Sequence, residues 1–349
     1  MQTATTSDSP VTYRTLALRL REAGLLDYRR GYYGVKIGVT IAFLMAGWVA
    51  FVIVGNSWAT LGVGAFLGLI FTQLGFVGHD AGHQQVFASR RANRLLGLAV
   101  GNSLIGLSYG WWVPKHSAHH AHPNELGRDP DVGEGLVIVK PAGEDSKFGL
   151  GLAQLLARWQ APLFFPLMVL RSGGLHLFGI RTLVRQRDRS SAIELLLIAL
   201  HAAAYLTVVL WVLSPLKALA FVAVQQMVFS FYLGCSFAPN HKGMPIIEAG
   251  AEMSFARRQV VTARNVSGGW FITLLLGGLN YQIEHHLFSA MPRPNLKRAQ
   301  PLVREFCTAS DLGYNEDTLG GSFGQIVRYL RAPDQAEPAG RLRLDRATW

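Results

Sequence analysis

Four stretches of the chain stay apolar for about the length of a bilayer crossing. Residues 35–54 are interrupted only by Lys36 near one edge, and residues 59–77 come after the uncharged turn Gly55-Asn56-Ser57. Residues 192–213 and 216–237 repeat the arrangement around Ser214-Pro215. Each is close to the roughly 20 residues a helix needs to cross ~30 Å of hydrocarbon. The pattern predicts an all-α integral membrane protein with four transmembrane helices in two hairpins. Three shorter apolar stretches are broken by glycine, proline or charge. Residues 95–112 read as a buried or re-entrant segment, residues 161–180 as a helix pair lying on the surface, and residues 270–279 as a short lead into residues 280–286. Residues 11–30 mix leucines with arginines and predict an interfacial helix. Residues 121–150 read as a loop on the water side. Residues 1–10 are polar and lack the pattern of a signal peptide. Beyond Arg331 the composition predicts a disordered tail.

Charge orients this arrangement. Only 16% of residues are charged, against the roughly 25% usual in soluble domains. The arginines and lysines gather before residue 35, between residues 78 and 190, and after residue 238, while the two inter-span turns are nearly free of them. The positive-inside rule then puts both termini and everything between the hairpins in the cytoplasm, with the cell inner membrane as the site. The expected division is a cytoplasmic or interfacial segment at 1–34, a membrane domain at 35–310 with a cytoplasmic helical cap, and a C-terminal cytoplasmic tail at 311–349. The net charge of +11 suits contact with anionic lipid. Nucleic acid is excluded as a partner, because no soluble patch alternates basic with aromatic residues. The two cysteines, Cys235 and Cys307, are far apart, which argues against a disulfide framework and leaves no CxxC.

The chemistry lies in the histidines. Seven of the eleven fall in three clusters, His79-Asp80-Ala81-Gly82-His83, His116-Ser117-Ala118-His119-His120 and Gln282-Ile283-Glu284-His285-His286. Positions i, i+3 and i+4 share one face of a helix, so each cluster aims its side chains one way. Neutral imidazole suits iron, zinc, copper and nickel. Seven are too many for one four-coordinate zinc, so two metals are the simpler reading. Each cluster comes after an apolar segment and falls at the water boundary. His241, just after the fourth span, stands at the same boundary by this topology. Within the clusters, Asp80 and Glu284 are candidates to accept the second N–H of a metal-bound imidazole, as are Asp129 and Asp131. His122 and Asn124 lie near enough to orient a neighbour. His176 reads as structural, and His201, in mid-span, as a packing or helix–helix contact.

The three clusters, in this order and at these intervals, resemble the histidine boxes of the integral-membrane fatty acid desaturases, over about residues 35–310. The glutamine that opens the third box resembles the front-end subgroup and also bacterial acyl desaturases. The resemblance implies a centre of two non-haem irons with O2 as co-substrate. It implies His79, His83, His116, His119, His120, His285 and His286 as ligands, with His241 as the histidine between the second and third boxes. Gln282 stands where a ligand is usual, as a weak ligand or the holder of a water. The substrate is then an acyl chain carried as a CoA ester, a carrier-protein ester or a lipid. The fused cytochrome b5 of many front-end enzymes, with its HPGG, is not found. Electrons are therefore expected from a donor in trans, such as ferredoxin, cytochrome b5 or a similar reductase system. Two other readings stay open. A hydroxylase or carotenoid ketolase would use the same centre. A metal transporter would be a different class, but its ligands would lie near mid-bilayer.

Overall fold

The computed structural model describes residues 12–132 and 150–331. The expectations for residues 1–11, for the rest of the polar loop and for the tail beyond Arg331 lie outside the described residues. The chain forms helices α1 (Tyr13–Glu22), α2 (Arg30–Val54), α3 (Thr60–Gly82) and α4 (Arg90–Leu98). α4 runs on into a π-helical turn, Ala99–Leu104, before α5 (Tyr109–Ala121). Then come α6 (Leu150–Met168), α7 (Arg171–Gln186), α8 (Arg189–Val212), α9 (Pro215–His241), α10 (Phe255–Val261), α11 (Trp270–Leu275), α12 (Gln282–Leu287), α13 (Arg293–Ala309) and α14 (Leu319–Arg331). Two three-residue strands, β1 (Asn265–Ser267) and β2 (Glu316–Thr318), pair in parallel, the small exception to an all-α chain.

Among the described residues four helices, α2, α3, α8 and α9, are each long and apolar enough to cross a membrane, and the bent pair α6–α7 would be a fifth if it formed one span. The four divide into an inner and an outer pair. In their most apolar windows, 56% of α3 and 39% of α9 are buried, against 22% of α2 and 11% of α8. The inner pair meets through small residues. A Cβ on Gly68 would fall 2.7 Å from the Gln225 carbonyl oxygen, and one on Gly64 would fall 3.1 Å from the Phe221 ring. Without those side chains the two backbones approach closely, as membrane helices do when packing rather than water drives association. The outer pair turns Val39, Phe43, Val49 and Ile53, with Leu196, Leu200, Leu210 and Trp211, outward to lipid.

Both inner helices outrun their apolar stretches. α3 continues through the first histidine cluster and α9 through His241. The chain leaves α3 at His83 and returns at His116, whose Nε2 lies 2.9 Å from that of His83. The intervening segment thus begins and ends at the same place. α6 and α7 bend 72° against each other.

The remaining helices build a second body at that end. Leu16 and Leu20 of α1, one turn apart, bury completely with Leu25 among Leu296, Val303 and Phe306 of α13. The sequence placed α1 at the bilayer interface, whereas here its apolar stripe is closed by protein. A second difference concerns residues 316–331, assigned from the sequence to a tail. β2 pairs with β1, and Ile326 and Leu330 of α14 bury against Phe164 and Met168 of α6. The spacing of Phe323, Ile326 and Leu330 is that of a helix with one apolar face, and the fold uses that face.

Candidate metal centre

Four elements bring their ends to one point. The last turn of α3 presents His79, and its C-cap is His83. α5 presents His116, His119 and His120 from its second half. α9 ends on His241, and α12 carries Gln282, His285 and His286. The start of α5 is held from outside the helix. The Glu194 carboxylate on α8 accepts hydrogen bonds from the Gly110 N–H at 2.9 Å, the Ser108 hydroxyl at 3.0 Å and the Asn102 amide at 3.0 Å. α12 is placed by a tight turn. Gly277 and Gly278 have φ of +61° and +80°, and a Cβ on either would fall 2.4 Å from Phe76 or Arg293. Glycine supplies both the left-handed backbone and the room.

The eight imidazoles sort into two adjoining groups. In one, His79, His83, His116, His120 and His285 bring ring nitrogens within 4.8 Å of one another, and in the other His119, His241 and His286 do the same. The groups meet where the His120 and His286 rings stack, 4.2 Å apart. Within the first group the His116 Nε2 lies 2.9 Å from that of His83, 3.2 Å from that of His79 and 3.1 Å from that of His120. In the second, the His119 and His241 Nε2 atoms are 3.3 Å apart. Gln282 joins the second group, its amide nitrogen 2.9 Å from the His241 Nε2 and its Oε1 accepting from Asn240 at 3.2 Å.

These contacts are what a metal-binding set requires. Nitrogens about 2.1 Å from one ion stand about 3 Å apart when adjacent, the separation found here. The ring nitrogens converge on a common space, and the buried Nε2 atoms of His285 and His286 have no hydrogen-bond partner. Burial pushes His83, His116, His120, His285 and His286 well below the usual histidine range, and their mutual repulsion adds to it. At neutral pH all five are uncharged and able to bind a cation.

The far side of several rings fixes which nitrogen faces inward. The His119 Nδ1 lies 2.9 Å from Asp129, whose two oxygens also accept the Asn124 and Asp131 N–H groups. The His241 Nδ1 donates to the Thr262 carbonyl at 3.0 Å, and the His286 Nδ1 to the Gln259 Oε1 at 2.8 Å. Gln259 also donates to the His120 carbonyl at 3.0 Å. Asp80 stands 3.4 Å from the His79 Nδ1 and is paired with Arg293 at 2.7 Å. Trp112 stacks on His116, centroids 4.5 Å apart.

Other residues singled out in the sequence lie one layer further away. Asp131 pairs with Lys115 and Arg171. His122 bonds Glu125 at 3.0 Å and Arg258 at 2.8 Å. Asn124 ties its amide to the His241 and Pro245 carbonyls. Glu284 turns from the imidazoles toward Asn265 at 2.8 Å and Tyr314 at 2.7 Å, and burial pushes its carboxyl up. His176 and His201 donate to the Ser172 and Ser103 carbonyls, away from this centre. Sequence reasoning missed Gln259, Thr262, Arg293 and Glu194. Of these, Glu194 alone carried a signal, as an acid inside an apolar stretch.

A membrane-spanning helical protein with a buried histidine cluster built to hold metal is the class this arrangement defines. Residues 56–318 match the family model described as fatty acid desaturase, and the chain belongs to that family. It is similar to an acyl-lipid (9-3)-desaturase of Physcomitrium patens, at 29% identity over 92% of this chain and 62% of that protein. A Delta(5) fatty acid desaturase of Caenorhabditis elegans is 33% identical over 92% of this chain and 73% of its own length. A Delta(8)-fatty-acid desaturase of Borago officinalis is 30% identical over 91% and 74%.

Proposed function

We propose that the protein is a membrane desaturase that puts a double bond into a lipid-linked acyl chain, using two irons, O2 and electrons from a donor in trans. The observation that carries this reading is the convergence of eight imidazoles in two adjoining groups, in a chain whose relatives are named as desaturases of fatty acids and acyl lipids. His79, His83, His116, His120 and His285 would hold one iron. His119, His241 and His286 would hold the other, with Gln282 beside it. The bound irons would supply the O2-dependent removal of hydrogen from an unactivated methylene, which no acid–base side chain can achieve.

The chain's own residues do the rest. Asp129, Gln259 and the Thr262 carbonyl keep a proton on each outer nitrogen, so that the inner one stays free. Trp112 on His116 and Phe237, 6.0 Å from His79, line the membrane side of the cluster with apolar rings that exclude water. The two hairpins stand in the inner membrane with the cap and both termini in the cytoplasm, supported by the arginine and lysine distribution.

The test is expression in a host that lacks polyunsaturated lipids, with fatty acid profiling as the readout. A new unsaturated acyl species is expected, and none from His285→Ala at equal membrane abundance. Labelled oxygen retained in the product would replace this reading with a hydroxylase.

A further inference from the structure

Lys36 sits on the outer helix α2, one turn after the exposed Tyr32. It is half-buried, and its ammonium donates to the Gln73 Oε1 at 2.6 Å. Among the described residues no carboxylate lies within 4.0 Å of it, and Asp80 is already engaged by Arg293. An ammonium has three donors and one of them is used. A cation in an apolar helix without an anion is costly unless it reaches the polar boundary or finds a partner there.

Its surroundings say where that boundary is. Gln73 passes the contact on, donating to the Tyr232 hydroxyl at 2.6 Å, and Tyr232 donates to the Leu275 carbonyl of α11 at 2.6 Å. α11, so tethered, leaves Trp270, Phe271 and Leu274 exposed by 75%, 57% and 48%. Tryptophan is enriched where membrane meets water, and Trp270 is the most exposed of the three. Gln73 precedes His79 by six residues, about 9 Å along the helix. Lys36 thus lies beside α11, whose Leu274 carbonyl Gln73 also reaches at 3.3 Å, and within about two helical turns of the histidine cluster.

We propose that Lys36 binds the phosphate of the phospholipid whose acyl chain enters the site. This rests on the reading of the chain as a desaturase of lipid-linked acyl groups. One ammonium fixed by Gln73 supplies the charge, and Trp270, Phe271 and Leu274 supply the apolar surface against which the lipid lies. A lipid without phosphate gains only the second of these.

The experiment uses the full chain in detergent, with native mass spectrometry as readout and two lipids of identical acyl chains, phosphatidylglycerol and diacylglycerol. Wild type, Lys36→Arg and Lys36→Met are compared as folded, monodisperse samples. Lys36→Met is expected to retain about five-fold less phosphatidylglycerol, while Lys36→Arg retains it as wild type does. Diacylglycerol retention is expected to be equal in all three. Undiminished phosphatidylglycerol on Lys36→Met overturns the proposal, as does an equal loss of both lipids. Retention is read without turnover, so a protein that desaturates nothing still reports on Lys36, and the two failures are told apart.

Discussion

At the scale of single residues, the centre depends on protons held where no metal is. His286 can offer its Nε2 inward only while the Nδ1 carries the hydrogen, and the Gln259 oxygen 2.8 Å away enforces that. Gln259→Leu keeps the volume but removes the acceptor and orphans the His120 carbonyl. Iron affinity is expected to fall 10- to 100-fold, measured by competition with a chelator; unchanged affinity would show that Gln259 does not set the tautomer. Arg293 is a different case. It and Asp80 are both nearly fully buried, so Arg293→Met leaves a carboxylate alone beside His79. Breaking one side of such a pair costs about 3–5 kcal/mol, to be read as a lowered unfolding temperature. Asp80 and Asp129 were legible because they sit within or close after a cluster. Gln259 and Arg293 were not, because they are single polar residues with no local pattern and their partners lie far along the chain.

At the scale of elements, helical spacing made the three clusters legible, and hydropathy gave the four spans. What spacing does not reveal is which distant piece holds an element in place. Glu194 is the sharpest instance. Its carboxylate, reached from α8, takes the Gly110 N–H at the start of α5, where a helix leaves donors unsatisfied. A Cβ on Gly110 would fall 2.0 Å from that carboxylate, so the small residue and the acid belong together. Glu194→Ala strands three donors, each worth about 1–3 kcal/mol when buried without a partner. The expected result is lower thermal stability and loss of iron from the purified protein, since α5 brings three of the imidazoles. Full iron content in a stable Glu194→Ala protein would sink the anchoring role. The packing of α1 and α14 was not legible for a related reason. Their apolar faces were visible, but the partners that cover them, α13 and α6, lie far away in sequence, and an uncovered stripe reads as interfacial or as tail.

At the scale of the whole molecule, the shorter helices of residues 255–309 meet the long apolar helices both at the histidine cluster and through direct contacts, such as Arg293 with Asp80 and the Tyr232 hydroxyl with the Leu275 carbonyl. α3 and α9 are the inner pair of long apolar helices, α5 and α12 are short helices outside that pair, and their histidines meet end to end. Burial opposes a charge on His83, His116, His120, His285 and His286, so these rings meet as neutral groups with nitrogens free to take a cation. A cation that binds the folded arrangement alone stabilises it by mass action, about 2.7 kcal/mol at a concentration 100-fold over its dissociation constant. Stripping the protein with a chelator is therefore expected to lower its unfolding temperature and to make residues 248–258 more open to protease before the spans, because these residues are already partly exposed and lead into α10, whose Gln259 holds His286. Adding ferrous iron back should reverse both effects in wild type and neither in His285→Ala. If the stripped protein unfolds at the same temperature with the same cleavage pattern, the ends of these four elements are held by protein contacts alone, and the metal is not what joins the cap to the membrane helices.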